Sequence, residues 1–134
     1  MSNISDEHKR KLQILLYSTE FESMVQGLEL LDVLSEDEND IYFVFDVHTH
    51  VPSTVQDLKI ALSNVEYKCY LMVWILGRLI EMNVSWVLEL RRLDLQSMFL
   101  QNIPEVIGNL KNLTRLNLSE NQLTILPDSI GNLT

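Results

Sequence analysis

Leu90-Arg91-Arg92-Leu93-Asp94-Leu95 recurs as Leu113-Thr114-Arg115-Leu116-Asn117-Leu118, an offset of 23 residues. The offset holds for nine pairs: Leu90/Leu113, Leu93/Leu116, Leu95/Leu118, Leu100/Leu123, Ile103/Leu126, Pro104/Pro127, Ile107/Ile130, Gly108/Gly131 and Leu110/Leu133. Self-similarity at such a period predicts a coil that returns on itself once per repeat. Leu93 and Leu95, like Leu116 and Leu118, share a face through the two-residue alternation of a strand, so each coil contributes one short strand with inward leucines. Pro104 and Pro127 suit the irregular return side, where no ladder N–H is needed, and Gly108 and Gly131 suit a tight bend or a helix end. A single coil cannot bury its own leucines, so neighbouring coils must stack.

These residues resemble the leucine-rich repeat family in its 23-residue form, LxxLxLxxNxLxxLPxxIGxL. Residues 113–133 agree at every pattern position, and residues 90–110, with Ile103 counted as leucine, at all but one, where Met98 stands in the place of Asn121. The resemblance implies that the asparagine lies inside its turn and bonds backbone groups of adjacent coils, which a thioether cannot do. It marks the first coil as a transitional repeat beside a cap. It further implies a parallel sheet on a concave face and protein recognition rather than chemistry.

Residues 1–88 do not continue the period: the places of Leu93, Leu95 and Pro104 fall on Tyr70, Met72 and Glu81. Ser5 before Asp6 and Glu7 predicts a helix near 5–17 with Leu12, Leu15 and Leu16 on its apolar face. Thr19 and Glu22 have capping-box spacing, and Phe21, Met24, Val25, Leu28 and Leu31 recur at three- and four-residue intervals, which predicts a helix near 20–34. The run Glu36–Asp40 reads as a solvated loop, since a calcium loop would need carboxylates spread over about twelve residues around a glycine. Residues 41–47 are strand-like in composition but lie between helices, so strand and helix both stay open. Ser53 and Gln56 open a further helix with Val55, Leu58, Leu62 and Val65 on one face. From Glu66 to Met82 the chain is apolar nearly all round, a core helix with Arg78 on its wet side. The fold class expected is therefore α/β: a helical region, 1–88, capping a short leucine-rich solenoid of parallel strands, 89–134.

Composition narrows the function classes. The 134 residues carry ten basic and nineteen acidic side chains, net −9, which disfavours binding to a phosphate backbone. Most of that charge is in residues 1–88, with 14 acids and 6 bases, against 5 acids and 4 bases in residues 89–134. The longest apolar run, Cys69 to Leu76, is far shorter than the ~20 residues of a membrane span. A single cysteine, Cys69, among apolar neighbours reads as a buried thiol in a reducing compartment, and the polar, acidic start lacks secretory character, so a cytosolic location is expected.

Catalytic candidates are weak. His48 and His50 form an HxH pair able to share a zinc ion on a strand, but the chain offers only His8 besides and no HExxH or CxxC frame. Cys69 lacks an evident base or electropositive setting. Of the sequons at Asn3, Asn83, Asn112, Asn117 and Asn132, the last three follow from the repeat grammar and all five read as accidental in a cytosolic chain, and no Gly-rich phosphate loop occurs. No cofactor, metal or catalytic residue is expected. Recognition falls instead to the residues alternating with the buried leucines: Arg92, Asp94 and Gln96 in the first coil, Arg115, Asn117 and Ser119 in the second. Strands ~4.8 Å apart would stack Arg92 on Arg115, a like-charge pair that an acidic partner relieves.

Because a third coil would begin just past Leu133-Thr134, two outcomes are expected: a longer array, or self-association through the uncovered coil edge. The expected function is a non-catalytic protein-interaction module; the competing reading is a regulatory or immunity-type inhibitor whose acidic helical region grips a basic target.

Overall fold

A computed structural model describes residues 4–46 and 54–132. Among them are six α-helices, a two-stranded parallel sheet and two 3-10 helices, in the order α1 (Asp6–Leu16), α2 (Phe21–Leu34), α3 (Glu38–Val44), α4 (Val55–Ala61), α5 (Lys68–Glu81), α6 (Ser85–Leu88), β1 (Arg92–Asp94), 3-10 (Glu105–Asn109), β2 (Arg115–Asn117), 3-10 (Asp128–Asn132). The chain forms two compact units, one of Met1–Pro52 with Gln56–Lys68, the other of Ser53–Val55 with Cys69–Thr134. α5 and α6 fall in the second unit, with the repeats.

The first unit starts as its sequence dictates. Ser5 caps α1, its hydroxyl accepting the His8 N–H at 3.1 Å, with Asp6 and Glu7 in the first turn at the positive end of the helix dipole. Leu12 and Leu16 are fully buried. On another face, Lys9, Gln13 and Tyr17 recur every four residues and hold the end of α3. Lys9 pairs with Asp46 and lies 4.3 Å from the Phe43 ring centroid, Gln13 donates to the Val44 carbonyl at 2.8 Å and to Asp46 Oδ2 at 2.9 Å, and Tyr17 stacks on Phe45. Asp46 leaves the helix at φ 56°.

Two expectations fail in this unit. The capping box at Thr19 and Glu22 does not form: Glu20 is the N-cap of α2 and makes no side-chain cap bond, while the Thr19 carbonyl accepts the Tyr67 hydroxyl at 2.8 Å. The acidic run is not a solvated loop. Asp37 caps α3, accepting from the N–H groups of Asn39 and Asp40, and Glu38 and Asp40 occupy the first turn, where carboxylates offset the exposed N–H groups. Asp40 is fully buried and accepts the Glu36 N–H at 2.7 Å. With this cap in place the strand-like residues from Ile41 to Val44 complete a helix, and the open choice over 41–47 resolves as helix as far as Val44. Gly27 of α2 lets α1 approach: a Cβ there would meet Leu15 Cβ at 2.9 Å.

In the second unit α5 is the long apolar helix that composition predicts, with Leu71, Met72, Ile75, Leu76, Leu79 and Ile80 buried. Two details differ from expectation. Cys69 is partly exposed rather than buried, and Arg78 is mostly buried, its guanidinium 3.3 Å from Glu81 Oε2. The side of α5 marked by Gly77 lies against the return side of the first coil, where an added Cβ would sit 3.6 Å from Pro104 Cγ and 3.8 Å from Val106 Cγ2. β1 and β2 then pair in parallel with the register Arg92↔Arg115, Leu93↔Leu116, Asp94↔Asn117, the same 23-residue offset seen in the sequence.

The leucines point inward as alternation requires. Leu93, Leu95, Leu100, Ile103, Ile107 and Leu110 of the first coil are buried, whereas Leu116, Leu118 and Leu123 of the second are partly exposed and Leu126 is 48% exposed. The first coil is covered on both sides; among the described residues the second is covered on one. Of the two expectations for Gly108, a tight bend or a helix end, the second holds: it lies near the end of a 3-10 helix without positive φ, and its need for glycine is not conformational. It is close approach: a Cβ there would fall 2.5 Å from Ser129 Cβ and 2.6 Å from the Ser129 carbonyl oxygen.

Candidate functional site

The parallel register places the six expected recognition residues on the two strands and the turns that follow them. Arg92, Asp94, Gln96, Arg115 and Ser119 are exposed and Asn117 is partly exposed. Their chemistry separates into two halves.

At the C-terminal end of the strands the polar groups serve one another. Asp94 Oδ1 accepts the Gln96 N–H at 3.0 Å, and one coil later Asn117 Oδ1 accepts the Ser119 N–H at 3.1 Å. These are the same side-chain turn repeated, which is why a short Asp or Asn side chain ends each strand. Asn117 Nδ2 donates to Gln96 Oε1 at 3.0 Å, Gln96 Nε2 donates to Glu120 Oε1 at 3.3 Å, and Ser97 Oγ donates to Glu120 Oε2 at 2.7 Å. Sequence reasoning missed Ser97 and Glu120. Their signal is positional: they are 23 residues apart, and both turn through left-handed backbone, φ 56° and 57°.

At the N-terminal end Arg92 lies directly opposite Arg115. Among the described residues neither has an ion-pair partner. The backbone beneath them is secured from the neighbouring coil, the Arg91 carbonyl accepting from the N–H groups of Thr114 and Arg115 and from the Thr114 hydroxyl.

Asn121 lies inside the second coil. Its Oδ1 accepts the N–H groups of Met98 at 2.9 Å and Leu100 at 3.0 Å, and its Nδ2 donates to the carbonyls of Leu95, Leu118 and Ser119. One carboxamide thus closes backbone groups of two consecutive coils. Residues 112–133 match the family model of the Leucine Rich Repeat. No curated protein and no solved structure matches the chain. Leucine-rich repeats are in general protein-interaction modules, and the exposed strand row is the part of this one free of the core.

His48 and His50 lie outside the described residues, and among the described residues no group of three or more His, Cys, Asp or Glu side chains could hold a metal ion. No described helix is long and apolar enough to cross a membrane.

Proposed function

We propose that this chain is a non-catalytic protein-interaction module that holds another protein on the strand face of its leucine-rich repeats, with Arg92, Asp94, Gln96, Arg115, Asn117 and Ser119 in or beside the contact. The observation that carries this reading is the in-register stacking of two repeats, which presents a row of exposed polar side chains on paired strands. A face of this kind displays directional groups with little ordering cost, because the backbone beneath is already fixed. The helical region is proposed to cap the array, and self-association through the partly exposed second coil is proposed as its alternative covering. The unpaired Cys69 supports a reducing, cytosolic setting.

A second reading is favoured by charge. The first unit carries thirteen acidic against five basic side chains, net −8, and suits an inhibitor that grips a basic target. Photo-crosslinkers placed at Ser119 and, separately, at Glu29 on α2 of the full chain test both. Crosslinks to a partner from Ser119 alone support the strand face; crosslinks from Glu29 alone overturn it in favour of the acidic unit.

A further inference from the structure

We propose that the Arg92–Arg115 rung is a carboxylate-binding site that takes an acidic segment of the partner protein, a deepening that rests on the strand-face reading above. The parallel register sets the two arginines directly opposite each other, and strands ~4.8 Å apart hold their side-chain roots at that spacing. Like charges so placed repel, and among the described residues neither guanidinium has an ion-pair partner. The two carboxylates nearest in sequence on this face are engaged elsewhere, Asp94 with the Gln96 N–H and Glu120 with Ser97 and Gln96.

Charge complementarity selects the occupant. Residues 89–120 hold four bases, Arg91, Arg92, Lys111 and Arg115, against four acids, Glu89, Asp94, Glu105 and Glu120, a balanced stretch within a chain of net −9. Two guanidinium forks side by side fit a planar carboxylate bridged between them better than a point charge would. The acidic remainder of the chain repels long anionic polymers, so a short acidic stretch of a folded or extended protein is accepted where a nucleic acid is not. The hydrogen-bonded row of Gln96, Asn117 and Ser119 beside the rung offers a polar rim once the carboxylate is seated.

The test is a titration of the full, isotope-labelled chain with a hexaglutamate peptide, read by NMR at the arginine side-chain Nε–Hε resonances. The Arg92 and Arg115 resonances are expected to shift together and saturably, and the affinity to fall by about tenfold or more in the Arg92→Gln/Arg115→Gln variant. The variant's amide spectrum reports that it is folded. An Arg10→Gln/Lys11→Gln variant, altered in the other basic run, is expected to bind as the parent does. Absence of shifts at the rung, or equal weakening in both variants, overturns the proposal. Displacement of the peptide by inorganic phosphate at lower concentration overturns the carboxylate class. If hexaglutamate fails while the Ser119 crosslinker still captures a partner, the acidic segment falls and the strand-face reading stands; if the rung binds hexaglutamate and Ser119 captures nothing, the carboxylate site stands and its assignment to a partner protein falls.

Discussion

The Asn121 carboxamide accepts the backbone N–H of Met98 at 2.9 Å, and Met98 is the residue that occupies Asn121's own place one coil earlier. A second pair repeats the contrast. Ser129 Oγ donates to the Glu105 carbonyl of the preceding return segment, while its counterpart one coil earlier is Val106, which lies beside Gly77 of α5. Polar residues face a neighbouring coil, whose backbone groups need partners. Val106 stands where the neighbour is a helix, whose own backbone bonds are already made.

This predicts opposite outcomes at two equivalent positions. Asn121→Ala leaves the N–H groups of Met98 and Leu100 and the carbonyl of Leu95 without their partner, at a cost of about 2–3 kcal/mol. Met98→Asn, which restores the family pattern, instead buries an amide whose oxygen has no preceding coil to accept from and is expected to cost about 1–3 kcal/mol. Urea unfolding of the two variants checks both, and a stabilised Met98→Asn contradicts the account.

Three glycines are expected to respond differently to a methyl group. Gly108→Ala drives Cβ to 2.6 Å from the Ser129 backbone oxygen, and Gly27→Ala drives it to 2.9 Å from Leu15 Cβ, neither of which can swing away. Each is expected to lose about 1–3 kcal/mol. Gly77→Ala meets nothing closer than 3.6 Å and gains up to ~1 kcal/mol of helix propensity in α5. Thermal midpoints should rank Gly77→Ala at or above the parent and the other two below it.

The cationic rung makes its own stability prediction. Arg92→Glu turns the like-charge pair with Arg115 into an attractive one across adjacent strands and is expected to stabilise by about 0.5 kcal/mol. The gain should shrink as salt is added, since the site is exposed. A gain that persists unchanged at high salt rules out the electrostatic origin.

Tyr17 titrates above the ordinary value of 10.0, mainly because burial disfavours the phenolate and secondarily because Asp46 repels it. The unfolded chain then gives up this proton more readily than the folded one. The stability contribution is therefore complete below the ordinary value and is lost as pH rises through the higher folded-state value. Tyr17→Phe should flatten the alkaline fall in stability, and Asp46→Asn should lower the Tyr17 value in part, because desolvation stays. Unfolding free energies measured across the alkaline range decide it.

The amino-acid sequence by itself determined the period, the strand register, the inward leucines of the first coil and the cap at Ser5, while the work of Asn121 came from the resemblance to leucine-rich repeats. The former follow from chemistry that a residue carries with it: alternation along a strand and a hydroxyl before a helix. Only the tertiary structure decided that residues 41–44 are helical, held by the Asp37 cap and the Lys9–Gln13–Tyr17 face. It alone showed that Asp94 and Asn117 are turn formers, that Gly108 exists to admit Ser129, and that Arg92 and Arg115 remain without counter-charges among the described residues. The reason is common to all of these. Whether a backbone group or a charge still needs a partner depends on what lies beside it in space, and a position in the chain does not carry that information.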